Sequence, residues 1–374
     1  MFFATVLMTA VSATSTTPDC FTESVLGPLP ASAQAFKSWP NSKRWPSEPA
    51  EKHLKNIRQL TFGGQNAEAY WSKDGNWLTF QSRQPEWPDE QIIVMRRDGS
   101  GKTLMSTGKG RCTCSYLSPD NKWIYFSSTH ERNEGPQEQV DMSKGYVWRV
   151  NPDFALYRQR LGPKPNTMAR MALMPVIKKD GYVAETTIAP NGKFITFTGD
   201  WEGDIDVYRA DFDGSNIVRL TTTKGYDGGP FVSWDSQRIV YRRGTFESAQ
   251  DEKDYDELHA QHLVRPKRMD LWIMDSQGRY NRQVTHLPGA SFAPFMHPDE
   301  NRIIFASNYE DPQGREFDLY MVDKQGKNLK RITFAKDFDG FPMFSRDGKH
   351  LVWASNRHGA VPHETNIFVA DWVD

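Results

Sequence analysis

The chain has 374 residues, a formal net charge of −1 with both signs interspersed, and a residue content that is 38% hydrophobic and 13% aromatic. The balanced charge gives no support for a nucleic-acid partner or an anionic membrane held by bulk electrostatics. No run of eighteen apolar residues occurs, so the sequence offers no transmembrane helix.

The opening MFFATVLMTAVSA, residues 1–13, is a candidate signal peptide. Its apolar core has a suitable length and is followed by the polar TSTTPD, with Val11 and Ala13 before the cleavage point, although a basic n-region is missing. It points to a secreted or periplasmic protein. Residues 14–53 are rich in Pro, Ser and Ala, and Phe36, Trp39 and Trp45 read as anchors by which this extension packs across the body. Cys20 has no lipobox before it, and three cysteines make no disulfide framework. Cys112 and Cys114 read as small inward-facing residues, with a bridge from Cys20 to one of them as the alternative.

From Leu54 onward the chain repeats. AYWSKDG, SYLSPDN, TTIAPNG, PFVSWDS, PFMHPDE and PMFSRDG align on Ser72, Ser118, Ala189, Ser233, His297 and Ser345, with spacings of 46, 71, 44, 64 and 48. Each unit continues with an alternating strand (WLTFQS, WIYFSS, FITFTG, RIVYRR, RIIFAS, HLVWAS). A third strand such as DVYRADFDG follows, and in most units a fourth such as NIVRLT. Four strands in about 45 residues is the pattern of a β-propeller blade. The fold class is therefore all-β: a six-bladed propeller of four-stranded antiparallel blades over residues 54–374. The last unit stops after its third strand, and the spare strand LKNIRQLT at Leu54 to Thr61 is its natural partner, which would close the ring.

SPDN at Ser118 to Asn121, DFDG at Asp211 to Gly214 and FPMFSRDG at Phe341 to Gly348 resemble the blade motif of the TolB-type six-bladed propeller family with WD40-like repeats. The resemblance covers about Leu54 to Asp374, without an attached peptidase domain. It implies the fold and no single activity, since such propellers serve as docking partners, accessory domains and enzyme scaffolds.

Two connections in each blade are short turns and share one face of the ring. The long insertions, 129–151 in blade two and 244–269 in blade four, are expected on the other face, with the loops RQPEWPDE, NYEDPQGREF and NRHGAVPHET. SAQDEKDYDELHAQHLV reads as an acidic amphipathic helix capped by Ser248. Loops on a rigid frame are where function tends to lie.

The repeat serves as its own control. Residues found in most blades are scaffold, such as the turn aspartates (Asp74, Asp120, Asp235, Asp299, Asp347) and the polar residue opening the third strand (Gln91, Asp206, Asp270, Asp318, Asn366). The start of the innermost strand varies. Four positions before the anchor stand Glu68, Cys114, Glu185, Gly229, Ala293 and Phe341; six before it stand Asn66, Cys112, Val183, Asp227, Ser291 and Asp339. Side chains two apart share a face, so these sets are expected to form two rings at the channel mouth, with Arg111 beside them. Glu68, Arg111, Glu185, Asp227, Ser291, Asp339 and Phe341 are the candidate ligand-binding residues. Glu68, Glu185, Asp227 and Asp339 are candidate ligands for a hard cation such as Ca²⁺. The alternative is that they bond loop backbone N–H groups while Arg111 balances the charge. No catalytic residue is assigned: His297 reads as a surface turn residue, and His286, His358 and His363 show no metal-binding spacing.

The functional expectation is a non-catalytic docking module that binds a protein, peptide or glycan on its loop-rich face, with Trp87, Trp201, Tyr309 and the acidic helix as contacts. One alternative is a hydrolase or lyase in which Glu68 and Glu185 act as acid–base carboxylates with split pKa values. Another is a structural subunit of an extracellular assembly, as a homo-oligomer or larger lattice.

Overall fold

The computed structural model describes residues 39–374, apart from 88, 139, 142–144, 162–172 and 337. The signal-peptide segment, Cys20 and Phe36 lie outside the described residues. The structure is a six-bladed β-propeller. Among the described residues no helix is long and apolar enough to cross a membrane.

In blade one the strands Gln65–Trp71, Trp77–Arg83, Gln91–Arg96 and Thr103–Leu104 pair in that order, and the next four blades repeat the meander. In blade six, Asp339–Phe344, His350–Ser355 and Asn366–Trp372 are followed by Leu54–Gln59, which pairs antiparallel with the last strand (Leu54↔Trp372, Gln59↔Phe368). Both faces of the inner strands are buried because each blade is sandwiched between two others, and this is why residues such as Ile239, Val240 and Tyr241 run as a continuous apolar stretch.

The recurrent polar residues hold the blades together. The Ser72 hydroxyl donates to Asp74 Oδ1 (2.5 Å) and accepts the Trp77 N–H (3.0 Å), which closes the first turn. Ser118, Ser233 and Ser345 repeat both bonds. At the third-strand start, Asp206, Asp270 and Asp318 each accept from a threonine just past the fourth strand (Thr221, Thr285, Thr333), which in turn accepts a backbone N–H. Thr61 makes the same pair of bonds with Asn366 and Ile367. His297 departs from the surface reading. It is 6% exposed, lies edge-on to Phe344 (4.5 Å) and accepts the Asp299 N–H through Nδ1.

The insertions divide less cleanly than expected. Those of blades two and four do follow second strands and share one face. However, blade two also lengthens its third-to-fourth connection, between Arg160 and Met174, on the face whose other turns are short.

Candidate functional site

All six innermost strands bulge at the same place. Glu68, Cys114, Glu185, Gly229, Ala293 and Phe341 adopt left-handed φ values between 49° and 58°, and in each blade the pairing slips across this residue. Only one of the six is glycine, so five carry a conformational cost of about 1–2 kcal/mol each. Because every blade shares it, the bulge belongs to the scaffold, and it re-aims one side chain per blade.

The bulge breaks the alternation that would have put the two sets of residues on one face. The set six before the anchor turns into the blades, where all are buried. Asn66 accepts from Ser82, Cys112 Sγ contacts Ser128 Oγ at 3.2 Å, and Ser291 bonds Ser307. Asp227 takes two 2.7 Å bonds from Arg243. Asp339 is held by Trp353 Nε1 (3.0 Å) and Arg357 (2.8 Å), and Arg357 also grips Glu51 of the N-terminal extension at 2.9 Å. The four carboxylates considered for a hard cation therefore fall into three separate clusters. Among the described residues no three His, Cys, Asp or Glu side chains converge as a metal would need. Arg111 pairs with Glu90 at 2.9 Å instead of balancing the channel carboxylates.

The set at the bulge faces the channel, and there a polar cluster forms. Glu185 is saturated: Oε1 receives Arg242 (2.5 Å) and the Tyr226 hydroxyl (3.2 Å), and Oε2 receives Thr198 (2.7 Å) and the Gly229 N–H (2.8 Å). Burial works to raise the Glu185 pKa, but the Arg242 charge and these bonds outweigh it and leave it below the usual carboxylate value. Glu68 lies close enough to feel both groups and has no cation of its own. Its nearest hydroxyl is Tyr70, at 3.4 Å, with the Cys114 thiol beside it. Burial, with Glu185 adding to the rise, lifts Glu68 to about 7. Burial also pushes the Cys114 thiol and the Tyr70 and Tyr182 phenols well above their ordinary values, so all three stay neutral.

Below this layer the channel is filled. Two positions before each anchor stand Tyr70, Tyr116, Thr187, Phe231, Phe295 and Met343. Tyr70 and Phe231, from opposite blades, meet with ring centroids 5.2 Å apart, flanked by Tyr116 and Phe295. Above it the two long insertions pair with each other. Trp148–Arg149 and Leu263–Val264 form an antiparallel ribbon (Val264↔Trp148) across the mouth. The Trp148 ring lies edge-on to Tyr226 (6.2 Å) and Phe292 (5.9 Å) and 5.5 Å from the Arg242 guanidinium. Tyr146, next along the ribbon, is covered by Arg315 of blade five at 4.6 Å. These contacts bring Glu185, Arg242, Tyr226 and Trp148 into one layer at the channel mouth, with Glu68 and Cys114 beside it and Phe341 packed on Phe292 (5.6 Å).

Arg242 and Trp148 were not among the residues singled out from the sequence. Arg242 had a signal: nine positions past the anchor the other blades carry Gln81, Ser127, Thr198, Ala306 and Ala354, all smaller. Gly228 and Gly229 make room for it, since a Cβ at Gly229 would lie 2.1 Å from Arg242 Nη1, and one at Gly228 would lie 2.7 Å from Glu185 Oε2. Trp148 had no signal, because it reaches the mouth only through a pairing between two insertions far apart in sequence. The loop aromatics pack inward: Trp87 is buried, Trp201 lies against Tyr208 (4.9 Å), and Tyr309 lies against Tyr320 (6.0 Å). The acidic helix, Ala249–His259, has its charges matched by Lys224, Arg265 and Lys267.

No family model matches the chain, and no curated protein sequence matches it. Solved structures do. A protein assigned as TolB from Agrobacterium tumefaciens is similar with 18% identity and a TM-score of 0.54, over 83% of this chain and 91% of that one. A gluconolactonase from Xanthomonas campestris shows 12% identity and 0.57, over 90% and 99%. An oligogalacturonate lyase from Vibrio parahaemolyticus shows 11% and 0.50, over 88% and 96%. At these identities the likeness establishes the propeller, with TolB propellers among its neighbours, and leaves the activity open.

Proposed function

We propose that the chain is a non-catalytic binding propeller that docks a protein, peptide or glycan partner on the face carrying its insertions, after export to a secreted or periplasmic location. The observation that carries this reading is the ribbon: the two long insertions pair with each other over a channel that is itself filled by aromatic rings. That arrangement supports one braced outer surface in preference to an open cleft. On that surface Tyr146, at 40%, and Val361, at 61%, keep exposed apolar area, and rigid presentation of such groups limits the ordering cost of binding. The test replaces residues 245–268 with a short Gly-Ser turn and compares cross-linking capture from the source organism's extract. Capture should be lost while the propeller's unfolding transition persists. Retained capture would overturn the reading.

A second reading, an acid–base enzyme, is favoured by one observation: Glu68 is raised to about 7 while its neighbour Glu185 is lowered. Two carboxylates with pKa values pushed apart are what such chemistry requires. Turnover abolished by Glu68→Gln in a normally folded protein would replace the docking reading with this one.

A further inference from the structure

The blade-four insertion encloses a pocket between its helix and the segments that enter and leave it. The pocket offers about 450 Å³ of space, its open mouth included, with room inside for about three water molecules. Its apolar lining comes from Tyr226, Phe246, Tyr255, Val264 and Met269, with the Phe246 and Tyr255 rings 5.4 Å apart. Val264 belongs to the ribbon and pairs with Trp148, so both insertions hold this side of the pocket in place. Every charged side chain in the lining is already paired. Lys267 meets Asp251 at 2.6 Å, Arg265 meets Asp254 at 2.8 Å, and Arg268 meets Glu247 at 3.0 Å. These side chains stay between 21% and 54% exposed, which leaves their outer polar atoms within reach of a ligand.

We infer that this pocket receives a neutral sugar residue of a glycan, its hydroxyls bridging the ion pairs and its C–H groups against the apolar lining. The inference rests on the docking reading and narrows the partner to a carbohydrate. A charged ligand would have to displace a member of an existing pair. A hydroxyl accepts from an ammonium or guanidinium and also donates to a carboxylate, so it joins a pair without breaking it. After the contacts above, Lys267 has N–H donors to spare and Asp254 has lone pairs to spare. An aliphatic peptide side chain would suit the apolar lining, but it would desolvate the charged groups and return no hydrogen bond. Room for about three waters fits the edge of a sugar ring, with the rest of the glycan emerging through the mouth.

The test uses the full chain with methyl β-glucoside, methyl β-galactoside, methyl α-mannoside and N-acetylglucosamine, and with glucuronate and glucosamine as charged counterparts. Binding is read by saturation-transfer NMR and calorimetry. At least one neutral sugar should bind saturably, and neither charged sugar should bind more tightly. Thr245→Trp, which fills the pocket and keeps all three ion pairs, should abolish the binding. Lys267→Met, at a side chain 47% exposed and so tolerated by the fold, should weaken it about tenfold, the worth of a hydrogen bond to a charged group. Absence of saturable binding by every neutral sugar would overturn the inference. Undiminished binding in Lys267→Met, or tighter binding of a charged sugar, would do the same. If sugar binding fails while capture from extract still depends on residues 245–268, the carbohydrate assignment falls and the docking reading stands.

Discussion

Glu185 of blade three and Arg242 of blade four join across two blades at 2.5 Å, a buried ion pair at the channel mouth. Removing one partner strands the other in a poorly solvated place. Arg242→Met should cost about 3–5 kcal/mol, as for a broken buried pair, and should raise the Glu185 pKa. The double variant Glu185→Gln/Arg242→Met should recover much of that loss. Urea unfolding of the three variants checks this, and an Arg242→Met protein as stable as the wild type would show that the pair is worth nothing.

Glu68 makes stability depend on pH in the sense opposite to an ordinary paired carboxylate. Its folded-state pKa, about 7, lies above the ordinary value of 4.5, so between these values the folded protein holds a proton that the unfolded chain has lost. The associated stability is fully present below pH 4.5 and is lost as pH rises through 7. At pH 8 the ionised, buried group costs at most about 3 kcal/mol, at 1.36 kcal/mol per unit. Glu68→Gln should therefore be more stable than the wild type at pH 8, with the difference vanishing near pH 4.5. Unfolding free energies of both proteins from pH 4.5 to 8.5 test this; carboxylates remote from the channel titrate alike in the two, so the difference reports Glu68 together with its coupling to Glu185.

The repeat period made the blades legible, because a fourfold strand pattern with Ser-x-Asp turns leaves few alternatives to a propeller. It also named the right column of residues: Glu68, Cys114, Glu185 and Phe341 do face the channel. What it misjudged was the companion column. Strand alternation predicts that Asp227 and Asp339 point the same way as Gly229 and Phe341, but a left-handed residue inserted in every innermost strand turns them into the blades. A backbone bulge occupied by Glu, Cys, Ala or Phe carries no glycine signature, so nothing in the text of the repeat announced it. The arginines that claim these aspartates, Arg243 near the end of one second strand and Arg357 just past another, were readable only by asking what a buried carboxylate would need.

Arg357 ties the N-terminal extension to blade six by gripping Glu51 and Asp339 together, with all three side chains buried. Arg357→Leu would leave two carboxylates without a cation, a loss of about 3–5 kcal/mol by the same reasoning. It should also release the segment around Trp45, which otherwise stacks on His358 at 3.7 Å. Limited proteolysis should then cut near residues 45–52 in the variant and spare them in the wild type. Undiminished protection would mean that the strand Leu54–Gln59, and not the ion triad, holds the extension in place.

The ribbon at the channel mouth can be probed through the Cys114 thiol. Cys112 and Cys114 are both free and buried, but for different reasons. Cys112 is enclosed between blades one and two among Ile92, Ile124 and Phe126, whereas Cys114 lies in the channel beside Glu68. Trimming Trp148 to alanine removes a ring that packs over Tyr226 and Arg242 at the channel mouth while leaving the blades intact. Alkylation of Cys114 by iodoacetamide should accelerate at least tenfold in Trp148→Ala, with Cys112 unchanged as the internal reference. The absolute rate should stay low in both proteins, because burial and the Glu68 and Glu185 charges hold the thiol protonated. Glu68→Gln added to Trp148→Ala should raise the rate further by removing one of those charges. Mass spectrometry of the two cysteine-bearing peptides resolves the sites. Equal slow labelling of Cys114 with and without the Trp148 ring would show that the aromatic layer and the neighbouring blades shield the thiol without help from the insertions.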